Sequence, residues 1–187
     1  MRRLIVSEFI TLDGIVEAPG GDETTHPHAG WTTPFRVPEA GAYKLREALE
    51  AESLLLGRIT YEGFSVAWPQ QEGEFGEKMN AMPKHVVTST LHELSWNASV
   101  IAEDVPAAVA TLKTGEGGPI LVYGSATLVR TLLHHGLIDE LRFMVFPVMI
   151  GGGLSMFPQD RQKLEFELTE LERYSSGIVR QVYRPTP

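Results

Sequence analysis

The sequence predicts an α/β protein: helices on both faces of a mainly parallel sheet, with an antiparallel hairpin near the C-terminal end. Three observations predict it. Short apolar runs alternate with segments of helical period, as in strand–helix–strand crossovers. The central runs are apolar on consecutive residues, as strands covered on both faces are. Beyond Gly136 the helical period gives way to alternating strands separated by a turn. The chain has 187 residues, 43% of them hydrophobic, with no internal repeat, low-complexity tract or linker. One domain spanning 1–187 is therefore expected.

The elements follow in order. Leu4 to Ile10 reads as the first strand, and Thr11 to Pro38 as a long irregular segment of the kind that forms functional loops. From Glu39 to Ala51, Ala42, Leu45 and Leu49 fall on one helical face, which predicts a helix with those residues toward the core. Leu54-Leu55-Leu56 makes a buried strand ending at Gly57; Val86-Val87 centres another, and Trp96 to Ile101 a third. Asp104 is suited to cap a helix with Pro106 in its first turn, running from Ala107 to Leu112. Pro119 to Tyr123 is the next strand, and Leu128, Val129, Leu132 and Leu133 form a helical stripe stopped by Gly136. Leu141 to Phe146 is β-rich. Leu164, Phe166 and Leu168 then alternate with Glu165, Glu167 and Thr169, and Ser175-Ser176-Gly177 turns the chain into Ile178 to Arg184.

Composition restricts the function. Lys+Arg 16 against Asp+Glu 24 gives a formal net charge of −8, a sign that opposes nucleic-acid and anionic-membrane binding. With Cys 0 there is no disulfide, thiolate metal site or cysteine nucleophile. No run approaches the roughly 18 to 20 apolar residues of a membrane span, so a soluble, cytoplasmic protein is expected. The pairs His26/His28 and His134/His135 lack a carboxylate at ligand spacing, and no metal site is expected.

Ligands of open α/β sheets gather beyond the carboxyl ends of the strands, and three such junctions carry suggestive residues. In Leu56-Gly57-Arg58-Ile59-Thr60-Tyr61-Glu62, Gly57 admits a close backbone approach and Arg58 with Thr60 suits a phosphate at a helix N-terminus. Val87-Thr88-Ser89-Thr90 offers three hydroxyls as a strand ends. In Tyr123-Gly124-Ser125-Ala126-Thr127-Leu128, small residues open the unpaired N–H groups of a helix start to a pyrophosphate. Trp31, Phe35, Tyr43 and Trp68 are candidates to stack on a flat heterocycle.

These motifs, with Thr11-Leu12-Asp13-Gly14, Lys84-His85-Val86-Val87-Thr88-Ser89-Thr90 and Gly136-Leu137-Ile138-Asp139-Glu140-Leu141, resemble the dihydrofolate reductase superfamily. Within it the chain is similar to reductases like the C-terminal domain of the bifunctional riboflavin-biosynthesis deaminase-reductase. The resemblance covers nearly the whole chain. It implies a three-layer fold on an eight-stranded sheet that binds NADPH across its carboxyl edge. It implies that Gly57, Arg58 and Thr60 contact the adenine-side phosphates, that Ser89 and Thr90 reach the ribose 2′-phosphate, and that Gly124, Ser125, Ala126, Thr127 and Leu128 hold the pyrophosphate.

The resemblance also sets Asp13 near the nicotinamide as a catalytic candidate. Dihydrofolate reductases carry a carboxylate inside the first helix; the matching place here falls on Ala40 or Gly41, with Glu39 the adjacent acid and second catalytic candidate. The expected function is NADPH-dependent reduction of a small planar heterocycle or an attached imine or carbonyl, similar to 5-amino-6-(5-phosphoribosylamino)uracil reductase. The alternatives are a non-catalytic NADPH- or ligand-binding module and a dihydrofolate reductase proper. Homodimers are frequent among the riboflavin-type relatives, and the C-terminal hairpin has an apolar face that a second copy would cover.

Overall fold

The structure is a computed structural model that describes residues 1–20, 26–157 and 163–186. Eight strands form one sheet: β1 (Leu4–Thr11), β2 (Ser53–Gly57), β3 (Lys84–Val87), β4 (Ala98–Ile101), β5 (Ile120–Val122), β6 (Glu140–Phe146), β7 (Phe166–Arg173) and β8 (Val179–Pro185). Their order is β4-β3-β2-β5-β1-β6-β8-β7. The first six strands in that order are mutually parallel, while β8 runs antiparallel to β6 and β7 antiparallel to β8. Five α-helices are described: α1 (Pro38–Glu50), α2 (Arg58–Ala67), α3 (Gly73–Ala81), α4 (Val105–Thr114) and α5 (Ala126–His134). The expected fold class is what the chain adopts.

Two apolar layers hold helices to the sheet. On one face Val109 of α4 and Leu128, Val129, Leu132 and Leu133 of α5 pack against Leu4, Val6, Leu55, Ile120 and Val122. On the other, Ala48 of α1, Tyr61 of α2 and Met79 of α3 cover Ile5, Leu54, Leu56, Val86 and Leu121. The strands of the middle contribute side chains to both layers, which is why they read as unbroken apolar runs.

Several expectations need correction. On α1 the buried residues are Tyr43, Glu47 and Ala48, whereas Ala42 is exposed and Leu49 is 45% exposed. The inward stripe sets the charged Glu47 among Tyr43 and Ala48, so apolar periodicity pointed to the wrong face. The chain from Gly73 to Ala81 forms α3, which has no aliphatic stripe to announce it beyond Phe75 and Met79. β4 starts at Ala98 because Trp96 and Asn97 take left-handed conformations, φ 57° and 52°, and the Trp96 indole donates to Asn80 Oδ1 at 2.7 Å. Leu164 lies outside β7, and a bulge between Leu168 and Glu170 resets the alternation.

What α1 buries is a charge network. Glu47 accepts from Ser7 Oγ through both oxygens at 2.9 Å and pairs with Lys44 Nζ at 2.7 Å. Arg142 of β6 lies 3.6 Å from Glu47, 3.1 Å from Glu50 and 2.7 Å from Glu140. Arg3 and Arg184 close the outer side on Glu140. Breaking a buried pair from one side leaves uncompensated charge, at a cost of roughly 3–5 kcal/mol. Glu47→Ala is therefore expected to lower the unfolding free energy by about that amount in urea denaturation; a loss under about 1 kcal/mol would show that the network is dispensable.

Candidate functional site

The sheet connections locate an opening. From β2 the chain passes through α2 and α3 on one face to β3; from β5 it passes through α5 on the other face to β6. Adjacent strands whose connections leave by opposite faces mark the switch point outside which ligands of open α/β sheets bind. The β2 and β5 ends meet there backbone to backbone: Gly57 N–H donates to Gly124 O at 3.3 Å. A Cβ on Gly57 would overlap the Ser125 hydroxyl, and one on Gly124 would stand 2.9 Å from Thr60 Oγ1. Gly124 also has φ +83°, which L side chains rarely adopt, and its peptide to Ser125 is cis.

Ser125 then begins α5 without capping it by its side chain. The first intrahelical bond is Val129 N–H to Ser125 O, so the N–H groups of Ala126, Thr127 and Leu128 have no partner within the helix, as at any helix start. Ala126 and Leu128 send their side chains into the core; toward a ligand they offer backbone only. Thr127 is exposed. α2 begins alongside, with Thr60 against Gly124. Arg58 is half-exposed and paired to Glu62 at 2.7 Å, so an anion there would compete with an exposed ion pair worth little. At the end of β3, Thr88 is buried and its Oγ1 accepts from Thr90 N–H at 3.2 Å and Leu91 N–H at 3.1 Å. That turn holds Ser89 and Thr90 out to solvent.

The other candidates sit differently. Asp13 receives Thr11 Oγ1, Gly151 N–H at 2.8 Å and Ile150 N–H at 3.2 Å. The Thr11 hydroxyl, then the Gly151 amide, hold its carboxyl below the usual range. Its visible task is to pin the turn after β6 to the end of β1. Glu39, exposed on the first turn of α1, accepts from the Ser175 amide at 3.1 Å and from its hydroxyl; the latter bond draws its carboxyl down. Trp31, Phe35 and Tyr43 share one aromatic cluster with Phe146. The Trp31 and Phe35 rings stand edge-on to Phe146, with centroids 5.2 Å and 6.0 Å away. Trp68 belongs elsewhere, against Phe75 at 4.8 Å.

Sequence reasoning passed over three residues of this region. Glu8 lies in the middle of β1 beside Gly124, with Oε1 sealed from solvent and without a hydrogen-bond partner among the described residues. Burial pushes its carboxyl up to about 8, against the opposing pull of Lys44 and the Gly124 amide. Lys44 Nζ sits 4.1 Å above the Tyr123 ring and donates to Ser7 Oγ at 2.8 Å. The Tyr123 hydroxyl is buried and has no partner among the described residues, and burial raises it well above its ordinary value. The available signal for Glu8 was an acid set in an otherwise apolar strand.

Fold and edge together define an α/β protein of the kind whose ligands bind across strand ends. Residues 2–180 match the RibD C-terminal domain family, and the chain belongs to that family. It is 28% identical over 187 residues to the uncharacterized protein YyaP of Bacillus subtilis (strain 168), covering 97% of this chain and 94% of that one. It is 23% identical over 184 residues to the uncharacterized protein YwjB of the same organism, covering 95% of each. Among solved structures it is similar to a putative riboflavin biosynthesis protein from Shewanella sp. PV-4, with TM-score 0.76, 20% identity and 99% of each chain covered. It is also similar to a pyrimidine reductase-like protein from Corynebacterium diphtheriae, with TM-score 0.72, 12% identity, 100% of this chain and 92% of that one.

The raised carboxyl of Glu8 has a consequence for stability. Its unfolded value is near 4.5 and its folded value about 8, so between these the native state holds the proton more tightly. Its contribution is fully present below pH 4.5 and lost as pH rises through 8. The stability of wild type relative to Glu8→Gln is expected to decline steadily from pH 4.5 to 8 in denaturant titrations. A difference independent of pH would show that Glu8 ionises as an ordinary surface acid.

Proposed function

We propose that this protein is an NADPH-dependent reductase acting on a small planar heterocycle, or on an imine or carbonyl attached to one, as one soluble domain. The observation that carries the reading is the crevice where β2 and β5 end: two glycines without room for a Cβ, and a helix start whose amides are free. Such an arrangement suits a pyrophosphate. Membership of the RibD C-terminal domain family and likeness to a protein described as pyrimidine reductase-like support the redox chemistry and the substrate class.

In this reading Gly124 and Ser125, with the amides of Ala126, Thr127 and Leu128, bind the pyrophosphate. Gly57 and Thr60 line the same turn. Arg58, Ser89 and Thr90, exposed at the ends of β2 and β3, meet the adenosine end and its 2′-phosphate. The bound cofactor supplies a hydride. The chain's task is to orient the ring and keep water from it. Glu39, exposed and held by Ser175, does not present a buried acid, and the buried Glu47 is already paired with Lys44. Neither favours dihydrofolate as the substrate.

The same reading takes the protein as cytoplasmic; among the described residues no helix is long and apolar enough to cross a membrane. Leu164, Leu168 and Leu171, exposed by 37%, 45% and 63% along the hairpin, support a homodimer through that face.

Thermal shift with the two nicotinamide cofactors tests the proposal. NADPH is expected to raise Tm more than NADH, since binding to the native state adds RT ln(1 + [L]/Kd), and Arg58→Ala is expected to narrow the gap. Equal shifts for the two would remove the 2′-phosphate assignment, and no shift with either would remove the reading. A monomer mass by light scattering of the same sample would contradict the dimer.

A further inference from the structure

Tyr61 is the buried residue of α2, and its phenol is committed to one place outside the helix. The hydroxyl accepts from the Ser95 amide at 2.9 Å and donates to the Ser95 carbonyl at 3.2 Å. Ser95 belongs to the segment 88–97 that joins β3 to β4 and also carries Ser89 and Thr90. One side-chain oxygen therefore ties the helix that begins with Arg58 to the segment that presents those two hydroxyls.

The sheet sets these two banks side by side. β2 and β3 pair in parallel through Gly57 opposite Val87, so Arg58 and Thr88 leave the carboxyl edge level with each other. At one end of the segment, Thr88 Oγ1 accepts from the amides of Thr90 and Leu91. At the other, the Trp96 indole donates to Asn80 Oδ1 and the Asn97 side chain to Ala81 O, both on α3. Those bonds fasten the segment to itself and to α3; the Tyr61 phenol fastens it to α2. The Tyr61 ring belongs to the apolar layer against which Leu91, Leu94 and Trp96 pack, a task that phenylalanine would perform as well. The hydroxyl adds a fixed distance between the segment and α2.

We propose that Tyr61 is a positioning residue for the choice of cofactor, holding Arg58 at the separation from Ser89 and Thr90 that a 2′-phosphate needs. This rests on the NADPH reading above. A phosphate takes hydrogen bonds from both banks at once only when their spacing suits it, and a spacing fixed beforehand removes the entropy cost of ordering them around the ligand. Arg58 is half-exposed and paired to Glu62, while Ser89 and Thr90 are exposed. What these groups contribute together depends on the frames that carry them. NADH has no 2′-phosphate and makes no demand on that spacing.

Tyr61→Phe removes the hydroxyl and keeps the ring. Ser95 is exposed, so water replaces the phenol on its amide and carbonyl and the variant folds. NADPH and NADH are titrated onto wild type, Tyr61→Phe, Arg58→Ala and the double variant, and amide hydrogen exchange is followed at Ser95. Wild type is expected to bind NADPH more tightly than NADH. Tyr61→Phe is expected to lose roughly three- to tenfold in NADPH affinity while NADH affinity stays within about twofold, and its Ser95 amide exchanges faster. In the Arg58→Ala background the same change costs NADPH less, because both residues act through one contact. An equal loss for both cofactors, or none for NADPH, would overturn the assignment and leave Tyr61 a core residue. Losses that add in the double variant, or unchanged exchange at Ser95, would overturn it as well. If wild type binds both cofactors alike, or neither, the NADPH reading itself fails and the proposal with it.

Discussion

The carboxyl ends of β2 and β5 touch with nothing but backbone between them, and the rest of the site depends on that contact. Gly57 N–H meets Gly124 O, and the Ser125 hydroxyl occupies the space a Gly57 side chain would need. Because the strands stay this close to their last residues, α2 and α5 start side by side. Thr60 of α2 then reaches Gly124, and the free amides of α5 open beside it. Larger residues at either glycine would force the strand ends apart and turn the two helix starts away from each other.

Charge is treated in two different ways along β1. At its start and along its middle, Arg3 and Ser7 join a network in which Glu47, Glu50, Glu140, Lys44 and Arg142 are paired. That network fixes α1 on the sheet and leaves no acid over for a ligand. Next to Ser7, Glu8 has one sealed oxygen with no hydrogen bond among the described residues, and burial holds its proton. A paired network is one structural solution to buried charge, and keeping the proton on Glu8 is the other.

Most of the architecture was legible in the sequence. The unbroken apolar run Leu54-Leu55-Leu56, the stripe Leu128, Val129, Leu132 and Leu133, the cap at Asp104 and the turn at Ser175-Ser176-Gly177 each became the element their pattern implied. The glycine turns at Gly57 and Gly124 were legible as backbone approaches, and they come together as one. The face of α1 was not legible, because Glu47 and Lys44 are buried through partners on β1 and β6 that are distant in sequence. Glu8 was hidden for the same reason: only the register of β1 against β5 brings it to Gly124. Periodicity reports burial by apolar contact, and it cannot report burial by pairing.

The most direct measurement is a crystal structure grown with saturating NADPH. The dinucleotide is expected across the ends of β3, β2, β5 and β1, its pyrophosphate within hydrogen-bond distance of the amides of Ser125 to Leu128. A dinucleotide bound away from Gly57 and Gly124, or one whose nicotinamide turns toward β3, would contradict the account.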